Sequence, residues 1–237
     1  MKILSIETSS SVCSVSILED TNVIKEISSD DGNTHSVKLM PQIEELFKVT
    51  NLTLKDIDLI ACDKGPGSFT GIRIGISTLK AFADVMNIPT VGISSLLALS
   101  YNSNFNGYIC SLIDAKNDND YYGLFDNDSN RHIKVGSYLA ENINCVTEIL
   151  KICNKPIFFV GSGSIVYKDM LKSTLKENAF FADDTYCKLS SVSVGKSAFD
   201  VFTNNKYMDE EYSTSPLYLK KSNAERELEE KQNGNNN

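Results

Sequence analysis

The sequence predicts an α/β protein built from two similar domains. In each half, short apolar runs with strand periodicity come first, near 2–28 and near 108–136, and helical patterns then alternate with single strands. A polar, turn-rich segment at 102–107 separates the two halves. The shared order of elements indicates a duplicated arrangement, although the sequence has no fixed-period repeat.

We therefore expect a first domain at 1–103 and a second at 104–221, with the last helix able to pack back on the first domain. The 237 residues can bury a real core in domains of this size. Residues 222–237 are rich in Glu, Lys and Asn and have almost no apolar side chains, so we expect a disordered tail there.

The first half begins with a predicted antiparallel meander. Residues 2–7 form a short buried run, apolar and small polar residues alternate along 11–18, and 22–28 can supply a third strand. Thr34 is the expected N-cap of the first long helix, and Pro41 predicts a kink or a restart within that helix. Ser94 or Ser95 is expected to cap a short helix that ends near 101. The predicted strands are 2–7, 11–18, 22–28, 57–63 and 88–93, and the predicted long helices are 35–48 and 70–86.

The second half also begins with three predicted strands. A stripe of Leu139, Ile143, Val146 and Leu150 predicts a helix over 138–152. Ser193 is expected to cap the last helix, which should end near 204. The remaining predicted elements are strands at 108–114, 120–126, 131–136 and 156–160, and a helix at 164–173.

Composition and charge narrow the possible functions. Hydrophobic content of 41% and charged content of 23% are ordinary for a globular chain. Glu7 interrupts the first apolar run, so no signal peptide is expected, and no run approaches the roughly 20 apolar residues of a membrane span. We expect a cytoplasmic protein with no membrane association. A net charge of −8 repels phosphate backbones, so this chain is not expected to bind RNA by itself.

The sharpest local signal is the loop Gly-Pro-Gly-Ser-Phe-Thr-Gly at 65–71, between a buried strand and a helix. Glycine permits positive φ and close backbone approach, and amide groups at a helix N-terminus suit an anion. No Gly-Lys-Ser/Thr follows, so the loop is not a Walker A motif. The residues alone leave a structural turn and a phosphate contact both open. The possible nucleotide or anion site comprises Thr8, Ser9, Gly65, Gly67, Ser68 and Arg73.

The helix that follows this loop is apolar on nearly all sides. Such a helix is either fully buried or covered by a partner, and the sequence leaves both readings open. The helix at 35–48 can contribute a parallel apolar face. The candidate partner interface comprises His35, Leu39, Ile43, Phe47, Ile72, Gly75, Ile76, Leu79 and Phe82.

The sequence offers no convincing catalytic or metal-binding set. A helical metal pair at His35 would need a second ligand four residues later, where Leu39 stands. The only other histidine is His132, which lies in a predicted strand, so a nucleophilic triad is also unsupported. We expect no catalytic residue, no metal and no required cofactor.

Several segments, in this order, resemble the TsaB (YeaZ) family over roughly 1–220. The most specific match is Gly-Pro-Gly-Ser-Phe-Thr-Gly-Ile-Arg-Ile-Gly at 65–75. Supporting matches lie at 6–9, 35–36, 114–116 and 216–220. Glu7 stands where many members of the family have Asp.

The resemblance implies two ribonuclease-H-like domains of the actin-like ATPase (ASKHA) superfamily. It also implies a non-catalytic scaffold or activating subunit for TsaD, which transfers a threonylcarbamoyl group to the adenosine beside the anticodon of tRNA. In the family, the two N-terminal helices pair with TsaD or with a second copy. We therefore expect TsaD as the direct partner, TsaE in the complex, and tRNA contact only through the complex.

The same resemblance implies a homodimer when the chain is alone, and it leaves ATP or ADP possible at the interface with a partner. The alternative is an enzyme of the same superfamily, either an ATP-binding phosphotransferase or a glycoprotease-like peptidase. That alternative depends on the turns near 7–11, 65–71 and 161–164, whose composition is compatible with phosphate.

Overall fold

The computed structural model describes residues 1–32, 34–115, 119–128, 131–204 and 209–220. They form two five-stranded mixed sheets, each flanked by helices. The strands of the first sheet are β1 (Lys2–Glu7), β2 (Cys13–Glu19), β3 (Asn22–Ser29), β4 (Leu59–Asp63) and β5 (Thr90–Ile93). Their order is β3-β2-β1-β4-β5, with β1 to β3 antiparallel and with β4 parallel to both β1 and β5. The predicted meander is confirmed.

Three helices belong to the first half: α1 (His35–Thr50), α2 (Phe69–Met86) and α3 (Ser95–Ser100). Ser68 and Ser94 cap α2 and α3 through their side chains. The predicted restart at Pro41 is wrong, because α1 continues through it as one helix. Pro41 lies on the exposed side of α1, so the missing backbone donor falls where water can reach the unpaired carbonyl.

The strands of the second sheet are β6 (Gly107–Asp114), β7 (Asn119–Asp128), β8 (Arg131–Asn142), β9 (Ile157–Val160) and β10 (Ala179–Phe181), in the order β10-β9-β6-β7-β8. The prediction of a helix from 138 is wrong in its first turn. β8 continues to Asn142, and α4 covers only Ile143–Lys151. Leu139 pairs with Tyr122 of β7 in the strand register, and pairing with a neighbouring strand outweighs the local helical spacing.

The last helices are α5 (Ser162–Val166), α6 (Lys168–Leu175) and α7 (Ser191–Thr203). The helix predicted at 164–173 is therefore two short helices that meet at Tyr167. The predicted cap of α7 is three residues too late, because the Ser190 hydroxyl accepts from the Ser193 amide at 3.2 Å. Strand β10 was not predicted, since three residues carry too little pattern to recognise.

Alternate residues of the first sheet face two different cores. Leu4 and Ile6 of β1 pack beneath α1 and α2, whereas Ile3 packs toward the second sheet. α3 and α7 lie in the core between the two sheets, and α7 packs against β1 and β2. A third core lies between the second sheet and the pair α4 and α6. The domain boundary near 103 stays a prediction.

Within the described ranges, every helix falls short of the length and apolar character needed to cross a lipid bilayer. The predicted tail at 222–237 lies outside the described residues.

Candidate functional site

A buried polar cluster lies where β1 and β4 end. Glu7 is the last residue of β1 and Asp63 is the last residue of β4, and the two strands are parallel neighbours. Carboxyl ends of parallel strands meet at one edge of a sheet, which brings the two side chains together. Both residues are 0% exposed. A pair of acidic groups removed from water in this way requires hydrogen-bond partners or a shared proton.

Glu7 binds the turn that follows its own strand. Its Oε1 accepts from the Ser9 amide at 3.0 Å, the Ser10 amide at 2.9 Å and the Ser9 hydroxyl at 3.1 Å. Three donors therefore converge on one carboxyl oxygen. The amides that could cradle a phosphate in this turn already bind a side chain of the protein itself.

Asp63 fixes the start of the glycine loop and of α3. Its Oδ1 accepts from the Gly65 amide at 2.6 Å and from the Ser95 hydroxyl at 2.7 Å. Burial, together with the charge of Asp63, raises the pKa of Glu7 well above its ordinary value, and burial also raises the pKa of Asp63. A proton on Glu7 supplies the partner that Asp63 Oδ2 otherwise lacks. Both shifts favour one proton held between the two carboxyl groups over two ionised carboxylates.

This arrangement holds backbone segments together and is closed to a substrate. Glu7, Asp63, Ser9 and Ser95 are all buried, so no bound molecule can touch the carboxyl groups without displacing the turns. Sequence reasoning missed Asp63 and Ser95. The available signal was that each acidic residue ends a buried strand. The two residues become neighbours only because β1 and β4 pair across the 51 residues that lie between the strands.

The glycine loop packs directly on the β1–β2 turn. The Ser68 amide donates to Ser9 O at 2.7 Å, and the Thr8 hydroxyl donates to Gly71 O at 2.8 Å. Gly67 and Gly71 face the backbone carbonyls of residues 9 and 8 with no room for a Cβ atom, and Gly65 has a φ of +101°. The loop therefore needs glycine for close approach and for one positive φ.

The structure brings together five of the six residues predicted to bind an anion: Thr8, Ser9, Gly65, Gly67 and Ser68. Of these, Thr8, Ser9, Gly65 and Ser68 make the hydrogen bonds within the chain described above. The sixth, Arg73, is exposed, and its Nε donates to the Tyr218 hydroxyl at 3.0 Å. Tyr218 also stacks on Phe69, with ring centres 4.4 Å apart. Anion binding at these residues stays a prediction.

His35 joins α1 to the same turn. Its Nε2 lies 2.8 Å from Ser10 O, which places the ring proton on Nε2 because a carbonyl can only accept. Leu39, one helical turn later, packs in the core beneath α1. Across the described residues, His, Cys, Asp and Glu side chains form no group of three or more suited to a metal ion.

Most of the predicted interface residues lie inside the first domain. The apolar faces of α1 and α2 pack on the first sheet, which hides the residues chosen for their helical spacing. Leu39, Ile43, Ile72, Gly75, Ile76 and Leu79 are buried in the chain by itself, and their contact with a partner stays a prediction. His35, Phe47 and Phe82 are partly accessible, and their contact with a partner stays a prediction.

The exposed sides of α1 and α2 nevertheless carry apolar side chains. Val37 is 68% exposed and Met40 is 50% exposed. A groove of about 470 Å³ runs between the two helices. We call it the α1–α2 groove, and its walls include Ser36, Met40, Thr70, Arg73, Ile74 and Ser77.

The two-sheet architecture defines the class of protein. A solved Pseudomonas aeruginosa protein, described as uncharacterized with similarity to peptidase YeaZ, matches with a TM-score of 0.74 at 21% identity, over 92% of this chain and 99% of that chain. The ROK hexokinase of Thermus thermophilus matches with a TM-score of 0.52 at 8% identity, over 87% of this chain and 99% of that chain. The chain shares the two-sheet α/β fold of these structures, in agreement with the predicted fold class.

Sequence similarity identifies the family within that class. A family model described as "TsaD: tRNA N6-adenosine threonylcarbamoyltransferase" matches residues 23–228. The Bacillus subtilis "tRNA threonylcarbamoyladenosine biosynthesis protein TsaB" is 31% identical over 181 residues, which cover 76% of this chain and 79% of that protein. The chain belongs to the TsaB family, and the resemblance seen in the glycine loop is confirmed.

Proposed function

We propose that this chain is a non-catalytic subunit that supports TsaD in making threonylcarbamoyladenosine in tRNA. The observation that carries the proposal is its similarity, over most of its length, to a protein named for that biosynthesis. The family model that is described as the transferase itself also matches this chain, so the geometry of the site has to distinguish a supporting role from a catalytic one.

The polar edge of the first sheet favours an accessory role. An enzyme of this fold needs acidic groups and turn amides that can reach a substrate. Here Glu7 binds the Ser9 and Ser10 amides, and Asp63 binds the Gly65 amide and Ser95. These groups brace the β1–β2 turn, the glycine loop and α3 against one another. The same contacts weigh against the phosphotransferase and peptidase alternatives.

The α1–α2 groove is the surface that we assign to pairing with TsaD. The two buried faces anchor α1 and α2 rigidly on the sheet, so their outer sides form a preformed platform. Met40 supplies exposed apolar area in the groove, and Val37 supplies more elsewhere on α1. Ser36, Thr70 and Ser77 supply a polar rim. The apolar faces predicted for pairing thus hold this surface in position, and Leu39 also lines the groove.

The net charge of the chain bears on its contact with tRNA, and the α1–α2 groove bears on its pairing with a second copy of itself. A chain of net charge −8 leaves tRNA binding to the rest of the complex, which includes TsaE. A homodimer of the isolated chain would use the same groove and would exchange for TsaD. ATP or ADP at the shared interface is compatible with this arrangement and is not required by it.

Pairing is tested by co-purification of the full chain with TsaD from the same cell. Met40→Glu places a charge in the groove and should weaken pairing by about tenfold or more, since a central apolar contact is worth over 1 kcal/mol. Val166→Glu is the matched control, because Val166 is similarly exposed but lies in α5 beside the second sheet. Unchanged pairing for Met40→Glu, or equal loss in both variants, would contradict the assignment.

A further inference from the structure

A second cavity lies in the cleft between the two sheets, apart from the Glu7–Asp63 pair. Its volume is about 510 Å³, which is in the range of small-ligand sites. One wall comes from the ends of β4 and β5, a second from β8, and a third from the segment 211–217. The polar residues that line it include Lys64, Ser94, Lys134, Tyr138, Glu211 and Ser213.

The cavity is positive in an otherwise acidic chain. Lys64 and Lys134 bring two ammonium groups to its wall, and Glu211 is the one carboxylate among its described lining residues. Lys134 pairs with Glu211 and lies 4.7 Å from the ring centre of Tyr138. An anion in the cavity would therefore meet one net positive charge, in a cleft whose low-dielectric walls strengthen the attraction.

Lys64 is held at the wall with donor capacity to spare. It is only 6% exposed, and its Nζ donates to the carbonyls of Glu211 and Ser213. An ammonium group has three N–H bonds, so two carbonyls leave one donor for a ligand. Burial lowers the pKa of Lys64 to about 8. A bound anion would restore the charge that burial opposes.

Tyr138 offers a further donor. The Ser94 hydroxyl donates to the Tyr138 oxygen at 2.8 Å and itself accepts from the Leu97 amide. The Tyr138 hydroxyl hydrogen is then directed to another acceptor, and its side chain lines the cavity. Two ammonium groups and a phenolic O–H form a donor set that suits an oxyanion.

The third wall continues directly to the start of α2. The Leu217 amide donates to Lys64 O at 2.8 Å, and the next residue, Tyr218, stacks on Phe69 and binds Arg73. The segment that closes the cavity therefore also packs on the helix that lines the α1–α2 groove. A ligand that draws Lys64 or Lys134 away from Glu211 would change the restraint on this segment.

We propose that the cleft binds a small oxyanion, a phosphate or a short dicarboxylate, and that the segment 209–220 transmits its occupancy to the start of α2. Lys64, Lys134 and Tyr138 are the recognition groups. The site would give the chain an effector response at its partner-facing helices. Binding itself is independent of the proposed function, because it needs only the isolated chain.

The test is calorimetric titration of the full chain with inorganic phosphate and, separately, with malonate. Saturable binding of either probe is expected, and the stronger probe identifies the ligand chemistry. Lys134→Met should weaken it by about tenfold or more, as expected for loss of a charged hydrogen-bond partner. Tyr138→Phe should weaken it less, and Lys25→Met, on the exposed edge strand β3, should leave it unchanged.

Two further readouts separate a site from general charge attraction. The affinity for either probe should fall as pH rises through about 8, where Lys64 loses its proton. The charged groups that influence the pKa of Lys64 are Glu211, Lys134 and Asp63. The ligand should also slow amide hydrogen exchange in 209–220 and at the start of α2. No saturation by about 10 mM of either probe, or equal affinity in Lys134→Met, would overturn the site. Binding without an exchange change at α2 would overturn the transmission.

Discussion

Gly75 of α2 packs against the β1–β4 edge, and its replacement by alanine tests how tightly the helix is seated. A Cβ atom at this position would lie 2.6 Å from Thr8 Oγ1 and 2.8 Å from Cys62 Sγ. Both side chains are fully buried, so each atom must retreat by about 0.6–0.8 Å to reach ordinary contact. The Thr8 hydroxyl cannot retreat without straining its bond to Gly71 O.

These contacts set the expected loss of stability. Overpacking of a close-packed core costs about 2 kcal/mol, and a strained buried hydrogen bond costs about 1 kcal/mol. Alanine in place of a helical glycine returns about 1 kcal/mol. Gly75→Ala should therefore lower the free energy of unfolding by about 2 kcal/mol, or the Tm by about 6 °C for a chain of this size.

Denaturant unfolding followed by far-ultraviolet circular dichroism measures this change. Ser77→Ala is the matched control on the exposed side of α2, and its effect should stay within about 0.5 kcal/mol. If Gly75→Ala were as stable as the parent chain or more stable, the gain in helix propensity would outweigh the cost of overpacking. The close seating of α2 on Thr8 and Cys62 would then be refuted.

Three further predictions concern charge and burial. Glu7→Gln should flatten the pH dependence of stability between pH 5 and pH 8, measured by unfolding curves. The pKa of Glu7 is raised in the folded state, so the parent chain loses stability as pH rises above about 4.5. The neutral amide of Gln does not titrate and removes this loss. Burial lowers the pKa of His132 to about 4, so the free energy of unfolding should fall by up to about 3 kcal/mol as pH drops from 6.5 toward 4. In the same unfolding curves, His132→Phe should not show this dependence of stability on pH. Ile76 is 5% exposed, so Ile76→Glu should lower the free energy of unfolding by at least about 3 kcal/mol in denaturant. Met40→Glu, at an exposed site, should lower it by less than about 0.5 kcal/mol. Equal losses in the two variants would contradict the assigned burial.

The elements that sequence predicted best have strong local patterns. Alternation along 11–18 predicted β2, the apolar run at 2–7 predicted β1, and the glycine loop predicted both the start of α2 and the family. The errors came where distant pairing overrides local spacing. Residues 138–142 have helical spacing, yet they extend β8 because β7 supplies a partner strand.

The candidate site was harder to predict than the fold. Helical periodicity identifies which side of α1 and α2 is apolar, but it does not say whether the sheet or a partner covers that side. The sheet covers it, so Ile72 and Ile76 are core residues, while scattered exposed side chains such as Met40 form the outer surface. Glu7 and Asp63 became a pair only through the pairing of β1 with β4.

We propose that this chain supports a transferase and performs no transfer itself. The most direct measurement is reconstituted formation of threonylcarbamoyladenosine in tRNA, with TsaD, TsaE and a threonylcarbamoyl adenylate supply, as the full chain is titrated in. Product should be lost when the chain is omitted, should rise to a plateau as the chain reaches the concentration of TsaD, and should stay absent with the chain alone. Product made by the chain without TsaD, or full product without the chain, would contradict it.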